Sequence, residues 1–491
     1  MLRRAAIVVL ATAALAAAAG DPVAAIIDEA RGDPVEIFAD VVFHLLDAGK
    51  IPEKERVPLL DEVFLRATDA REAVPERPAA IRPGPAAPIR AQIKLDALSI
   101  QGRVVQALLG IDAKHGRELF SRIPRPNVPR TDCKGTILED PTPYFEIVEA
   151  VVVHAPFTAK EQEDRVPFWT MESAIRGIQT SLEITPAARN LAYLVHDEKD
   201  TLAMVSAFAV ALGIDDSDRN FGGAIQANVL GAVLVMADRL AKLGAPPQAL
   251  QSALRGFLVR HLSAARCADS SADYTGAVAA FNAAVAGQTS VLPITPEENT
   301  PAKIEGKAES KPAGYSQFQE LADQVNAFSK NPDPSVDVLA AVRAWKGGDG
   351  DDPVGVFHRK LSLYFQLMGP FAVNYQDSLD ARSPLLVNGR AVPRPALTLQ
   401  AVMPGLIATL SDAEIVDLSP CDWLEEVRNL LRHMTTHASS KVGGKILSQE
   451  VVPPDIAQAL ASSSLSALQV YGRLEILEHS PPSWLIAPDR K

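Results

Sequence analysis

The 491-residue sequence has few aromatic residues (5%), only three cysteines and no run of five or more Lys or Arg residues. Its 48 Lys and Arg residues are outnumbered by 60 Asp and Glu residues, which gives a net charge of −12. Nucleic-acid binding needs a concentrated positive surface, so this balance disfavours that class of protein. The content of 47% apolar and 22% charged residues is typical of globular proteins and argues against a disordered chain.

Short motifs of common catalytic and nucleotide sites are also missing. Gly443-Gly444-Lys445 is followed by Ile446, where a phosphate-binding loop needs Ser or Thr. Neither the Gly-x-Gly-x-x-Gly nor the Gly-x-Ser-x-Gly pattern occurs. We therefore expect no cofactor. An enzyme stays possible on these grounds, but the balance favours a protein that acts by binding.

The first 20 residues have the three parts of a secretory signal peptide. Arg3 and Arg4 give a positive start, and Ala5–Ala19 is an uncharged run of 15 small or apolar residues. This run is shorter than the roughly 20 residues that a membrane-spanning helix needs. We predict cleavage near Ala19 or Gly20, which shifts the net charge from −12 to −14. The pattern is typical of a bacterial protein exported to the periplasm or the exterior.

No later segment is predicted to span a membrane. Ala224–Ala237 is the most apolar stretch, but it contains Gln226 and Asn228 and is closed by Asp238. Such a stretch is typical of a buried core helix. After signal cleavage we therefore expect no integral membrane span.

The three cysteines are Cys133, Cys267 and Cys421. Disulfides form in exported proteins, and three cysteines allow three single pairings, each with one cysteine left over. Cys133 and Cys267 lie in predicted loops of one domain, whereas Cys421 lies at a helix start in another region. We predict a disulfide between Cys133 and Cys267. Three separate buried thiols are the alternative, and the state of Cys421 stays open.

Helix signals recur along most of the chain. Asp33-Pro34-Val35-Glu36 combines a capping Asp, a Pro at the first helical position and a Glu at the third. Gly49 marks the end of this helix, and a second helix near Glu53 predicts an antiparallel αα-hairpin. The pattern predicts an all-α fold of successive antiparallel helical hairpins, which form an irregular helical array or two helical bundles. Little or no β structure is expected, with Pro384–Val392 as the best short strand candidate.

The helical periodicity breaks in a segment rich in Pro, Lys and Glu. This segment covers residues 288–313 and is typical of a linker or loop. We therefore predict an N-terminal α-helical domain over residues 21–287 and a C-terminal α-helical domain over residues 314–491.

His433 and His437 are weak candidates for metal ligands. A helix is predicted over residues 420–437, and a spacing of four places both imidazoles on one helix face, as in His-Glu-x-x-His zinc sites. Met434 stands where that motif needs Glu, and no third ligand is evident. We therefore predict no metal site.

A second oxygen-rich segment fails the test for calcium. Asp216, Asp218 and Asn220 alternate as in a calcium-binding loop, but Phe221 and Ala227 stand where that loop needs Gly and Glu. These polar residues are better interpreted as caps for the helix that follows.

Other titratable residues are given structural roles. His261 lies on an apolar helix face and is predicted to be a hydrogen-bonded core residue. His358 lies off the apolar stripe of its own helix. Glu425 and Glu426 occupy adjacent helical positions and diverge, so they do not form an acid–base pair.

These observations favour an exported, non-catalytic α-helical protein that binds a protein or peptide partner or acts as a scaffold. The first alternative is a cell-envelope hydrolase whose site is assembled from distant residues, for example His433 and His437 with a carboxylate. The second is a carrier of an apolar small molecule, which requires an enclosed cavity of several hundred Å³.

Overall fold

The computed structural model describes most of the chain as helix. The described residues are 21–70, 95–126, 141–194, 198–214, 223–267, 271–305, 315–330, 337–347, 353–368, 385–387, 390–392, 399–411, 420–434, 436–442, 445–452 and 454–479. The all-α class predicted from the sequence is confirmed. None of the helices in these ranges combines the length and the apolar character needed to cross a membrane. The predicted signal peptide lies outside the described residues.

The elements follow one another along the chain as twenty α-helices, one 3₁₀-helix at Ala67–Asp69 and six short strands within the described ranges. They are α1 Pro22–Ala30, α2 Val35–Asp47, α3 Glu53–Arg66, α4 Ala97–Leu109, α5 Ala113–Phe120, α6 Thr142–His154, α7 Ala159–Glu163, α8 Val166–Arg176, α9 Ser181–Leu194, α10 Glu198–Ala211, α11 Gly223–Lys242, α12 Gln248–Ser263, β1 Ala265–Cys267, α13 Ser271–Ala284, β2 Lys303–Glu305, α14 Tyr315–Lys330, α15 Val338–Ala344, α16 Pro353–Met368, β3 Leu385–Val387, β4 Arg390–Val392, α17 Leu399–Ser411, α18 Pro420–Met434, β5 Thr436–Val442, β6 Lys445–Val451, α19 Pro454–Ala461 and α20 Ser466–His479.

The chain forms two compact units. The described residues of unit one lie within Met1–Glu53 and Lys311–Lys491, and those of unit two lie within Lys54–Gly84 and Lys94–Ser310. The helices α2 and α3, which the sequence predicts as a hairpin, therefore belong to different units. The hairpin arrangement of the fold stays a prediction.

The N-terminal helices belong to a different unit from the one predicted. The sequence predicts them in one domain over residues 21–287, but α1 and α2 share unit one with the C-terminal helices. The reason is burial, because α1 packs against α20 and α2 packs against α18. The change of unit between Ser310 and Lys311 falls inside the predicted linker over residues 288–313. The other predicted boundaries stay predictions.

Helix α2 is buried on nearly all sides. Phe38, Val41 and Val42 are fully enclosed, as their helical spacing predicts. Asp40 is also buried, which the spacing does not predict. Residue Pro34 caps the helix without a side-chain hydrogen bond, so α2 begins one residue later than the sequence predicts.

The helices of unit two pack against one another in a series of pairwise contacts. Helix α6 contacts α4, α8 and α9, while α10 packs between α8 and α12, and α11 packs against α9 and α13. Large side chains form its core, including Phe145, Phe208, Phe257 and Phe281, each at most 1% exposed. These contacts hold α4 and α6 side by side.

The strands form three two-stranded pairs among the described residues. The predicted strand candidate Pro384–Val392 contains the antiparallel pair of β3 and β4. The sequence did not predict the antiparallel pair of β5 and β6, in which Val442 pairs with Lys445 across a two-residue connection.

Candidate functional site

A groove lies between α4 and α6 of unit two. A side-chain Cβ at Gly102 would lie only 2.6 Å from Ile147 Cδ1, so the two helices approach closely at this point. Further along, Gly110 and His154 line the same groove. Gly110 follows the last residue of α4 and His154 is the last residue of α6, so the carboxyl ends of both helices lie at the groove.

Local signals in the sequence build both walls of the groove. Asp96 caps α4 and accepts a hydrogen bond from the Ser99 backbone N–H at 3.0 Å, as expected for an Asp at this position. Val105 and Leu108 of α4 are fully buried, as is Val148 of α6. The buried faces fix the two helices, and their other faces are left to form the groove.

The groove has a volume of about 580 Å³ and opens to solvent. Leu109 and Ala150 supply apolar surface, and Glu146, Glu149 and His154 supply polar groups. Its lining consists of Gln106, Leu109, Gly110, Glu146, Glu149, Ala150 and His154. A volume of this size accommodates a few side chains of a peptide or one small molecule.

Two acidic side chains line the groove. Glu146 and Glu149 are three residues apart, so both carboxylates lie on one side of α6. The carboxyl ends of α4 and α6 add partial negative charge where Gly110 and His154 line the groove. This arrangement favours a cationic group on a ligand.

The chain that follows α6 is held by Arg117 of α5. Its guanidinium donates hydrogen bonds to the Pro156 carbonyl at 2.5 Å and to Glu161 Oε1 at 3.0 Å. Glu161 also closes a capping box with Thr158 at the start of α7. These bonds keep the backbone just beyond His154 in one position, which fixes one end of the groove.

The structure does not place the two candidate metal ligands on one helix. The predicted helix over residues 420–437 ends at Met434, so His433 lies in α18 and His437 in β5. The sequence interpretation was wrong on this point because the following residues pair as a β-hairpin instead of continuing the helix. Within the described ranges, no group of three or more His, Cys, Asp or Glu residues is arranged to hold a metal ion.

The predicted disulfide stays a prediction. Cys133 lies outside the described residues. The backbone of Cys267 forms the end of β1, and Cys421 lies in the first turn of α18. The oxygen-rich segment at Asp216 and Asp218 also lies outside the described residues.

His358 lies in the core of unit one. Its Nδ1 lies 2.5 Å from Glu426 Oε1, and both side chains are less than one-tenth exposed. The sequence predicts that His358 lies off the apolar stripe of α16. The residue is nevertheless buried. Neighbouring helix α18 covers that side of α16. Glu425 is buried as well.

A second buried charged cluster in unit one joins three helices. The carboxylate of Asp40 in α2 accepts hydrogen bonds from Arg428 of α18 and from the Tyr471 hydroxyl of α20, the latter at 2.6 Å. Burial, together with the adjacent Asp40 carboxylate, raises the pKa of Tyr471 well above its usual value. Tyr471 therefore stays protonated and donates to Asp40 across the physiological range.

His261 is a core residue, as the sequence predicts. It is 2% exposed, and its ring lies 4.6 Å from that of Phe257 in an edge-on arrangement. This contact fixes His261 within the apolar face of α12.

Trp169 is an exposed aromatic residue on unit two. Its side chain is 52% exposed, and the Arg165 guanidinium lies over both the Phe168 and Trp169 rings. Arg165 has a left-handed backbone with φ of 58° and pairs with Asp200. The ion pair and the two rings hold this unusual backbone, so the cluster has a structural explanation.

Comparison with protein-family models, with curated proteins and with solved structures finds no match to this chain. The fold and the geometry of the groove are therefore the basis for any statement about function.

Sequence reasoning missed the groove because it depends on how two helices meet. One local signal was Gly102, a helix-interior glycine, which often marks a close helix contact. Glu146 and Glu149 carry no catalytic or metal-binding spacing. The sequence therefore gave no reason to single them out.

Proposed function

We propose that this protein is an exported, non-catalytic α-helical module that binds a partner protein, and that the α4–α6 groove takes a basic peptide segment of that partner. One observation carries the proposal: an open groove that combines apolar surface with Glu146 and Glu149. Lys and Arg have apolar stems and cationic ends. Such side chains complement both features of the groove.

The shape of the groove also argues for a peptide. It is open to solvent along one side, whereas a carrier of an apolar molecule needs an enclosed cavity. The acidic composition of the whole chain, with a net charge of −12, attracts basic partners and speeds their encounter. The predicted signal peptide supports export.

The proposal is tested with a fluorescein-labelled peptide in which Lys alternates with Leu, titrated into the mature protein. We expect saturable binding that weakens as salt is raised, because exposed ion pairs are screened. The double variant Glu146→Gln/Glu149→Gln should weaken binding by about fivefold. A peptide with Glu in place of Lys should not bind.

A matched control separates the groove from the overall charge. The variant Glu163→Gln/Asp238→Asn removes two negative charges elsewhere on unit two and should change the affinity by less than about twofold. Equal binding of the Lys and Glu peptides would contradict the proposal. An equal loss of affinity in both double variants would also contradict the proposal, because it would show that binding depends on the overall charge of the protein.

A hydrolase is the second candidate, and the contact between His358 and Glu426 is the observation that favours it. A carboxylate that orients an imidazole is one part of many nucleophilic sites. Both side chains are less than one-tenth exposed, which favours a structural role instead. Loss of ester or peptide hydrolysis in His358→Gln, with native helical content retained, would favour the hydrolase.

A further inference from the structure

Part of the predicted linker packs on unit two as an ordered segment. We define the strap as residues 291–298, which follow α13. The strap contacts Arg255 of α12 and Asn282 of α13. Gly287 has a φ of +80° and lies where the chain leaves α13 and turns into the strap. A glycine suits this backbone because it has no Cβ.

Asn282 binds the backbone of the strap at one residue. Its side-chain oxygen accepts a hydrogen bond from the Ile294 N–H at 2.7 Å, and its side-chain nitrogen donates to the Ile294 carbonyl at 2.9 Å. A neighbouring β-strand would satisfy both groups in the same way. This pair of bonds depends on the backbone of residue 294 and not on its side chain.

Arg255 binds the strap at three points. Its Nε donates to the Leu292 carbonyl at 2.8 Å, and one terminal nitrogen donates to the Pro293 carbonyl at 3.2 Å. The same nitrogen lies 2.7 Å from Glu298 Oε2. Hydrogen bonds from the Thr295 backbone and from Arg255 hold the pKa of Glu298 below its usual value. Glu298 is therefore ionised at neutral pH and pairs with Arg255.

Two residues of the strap are buried and five are exposed. Val291 and Ile294 are at most 3% exposed, whereas Leu292 is 67% exposed and Pro293 is also exposed. Backbone hydrogen bonds combined with pockets for selected side chains are how proteins bind extended peptides. The strap is therefore held on α12 and α13 in the manner of a bound peptide.

We propose that the α12–α13 surface is a recognition site for a peptide segment of a partner. The strap, which has no helix or strand at residues 292–295 and turns at residues 296–299, occupies this site in the free protein. The partner segment carries two apolar residues three positions apart and a carboxylate four positions after the second. Val291, Ile294 and Glu298 define this pattern. The proposal goes beyond the α4–α6 groove and does not depend on it.

A tethered segment competes strongly with a partner because its effective concentration is in the millimolar range. The intact protein should therefore bind a free peptide of this pattern only weakly. Loosening the strap should open the site. The variant Val291→Ser/Ile294→Ser removes both buried anchors of the strap and leaves Arg255 and Asn282 in place.

The experiment uses a fluorescein-labelled peptide with the sequence of residues 289–301 and the full mature chain. We expect the loosened variant to bind it about a hundredfold more tightly than the unaltered protein does. Adding Asn282→Ala should weaken that binding by about tenfold, because two backbone hydrogen bonds are lost. The same peptide with Ile294→Ser should bind poorly.

The Glu146→Gln/Glu149→Gln variant should leave this binding unchanged, which separates the two surfaces. Absence of saturable binding in a loosened variant with native circular dichroism would overturn the proposal. If that variant does not fold, hydrogen exchange of the unaltered protein tests the proposal instead. Excess peptide should then speed exchange at the Ile294 and Thr295 amides of the strap, and unchanged exchange would overturn the proposal.

Discussion

Asp40 accepts hydrogen bonds from Arg428 and Tyr471, which lie 388 and 431 positions further along the chain. A buried carboxylate is costly unless it is paired and hydrogen-bonded. The cluster therefore selects one packing of α2 against α18 and α20. Sequence patterns locate each of these helices but give no sign that residues so distant in the chain meet.

We expect Tyr471→Phe to lower the free energy of unfolding of unit one by about 1–3 kcal/mol, because a buried carboxylate loses one donor. Urea unfolding followed by circular dichroism measures this change. Tyr144→Phe is the matched control. The Tyr144 side chain is also buried, and its hydroxyl makes no hydrogen bond to another described residue. Equal stability losses in the two variants would contradict the account.

His115 and Asp61 form a pH-dependent contact in unit two. The hydrogen bond from the imidazole to Asp61, 2.7 Å long, raises the pKa of His115 above 6.5. The pKa of His115 is higher in the folded than in the unfolded protein. The contact therefore contributes its full stabilisation of the fold below pH 6.5, and this stabilisation is lost as the pH rises through the folded-state pKa.

An NMR titration of the His115 ring should therefore give a pKa above 6.5, and Asp61→Asn should lower it. An unchanged His115 titration in Asp61→Asn would rule out the contact.

At the scale of elements, the helices were the most predictable part of the fold. Periodic apolar residues and caps such as Asp96 and Asp112 act within one or two turns, so the sequence contains them directly. The end of α18 was missed because pairing of β5 with β6 overrode the helical spacing that extends to His437. Strand pairing is a contact between segments, which a single helical pattern does not show.

Gly472 tests a close contact between two elements. A Cβ on this α20 residue would lie 2.7 Å from the Ala457 carbonyl oxygen of α19 and would also meet the Ala461 backbone. Backbone atoms cannot rotate away as a side chain can. We expect Gly472→Ala to lower the free energy of unfolding by about 1–3 kcal/mol.

Gly231 in α11 is the matched control, because among the described residues no atom outside the adjoining helix backbone lies within 4 Å of its added Cβ. Gly231→Ala should raise the free energy of unfolding by about 0.5–1 kcal/mol, since alanine favours the helix. Both changes are read from the same denaturant curves. Stabilisation by Gly472→Ala would contradict the close approach of α19 and α20.

At the scale of the whole molecule, the N-terminal helices complete a unit whose other members come from the C-terminal part of the chain. Sequence order suggested consecutive domains. Contacts between residues distant in the chain instead place the first two helices in one unit with the C-terminal helices. The groove and the strap were missed for the same reason, since both depend on surfaces contributed by several helices.

Deletion of residues 1–48 should unfold unit one. The deletion removes α1 and α2, exposes apolar surface on α18 and α20, and leaves Arg428 without Asp40. Limited proteolysis should then cleave within residues 315–479 while α4–α13 stay protected. The full chain with Glu163→Gln serves as the control, in which residues 315–479 should stay protected from the protease. Protection of α18 and α20 in the truncated chain would contradict the discontinuous unit.

The most direct test of the central proposal is native mass spectrometry of the protein recovered from the envelope or medium of the cells that make it. The account predicts a chain that begins near Gly20 and carries a protein or peptide partner at fixed stoichiometry. Glu146→Gln/Glu149→Gln should reduce the partner fraction. A stoichiometric metal ion or small molecule without a protein partner would contradict the account.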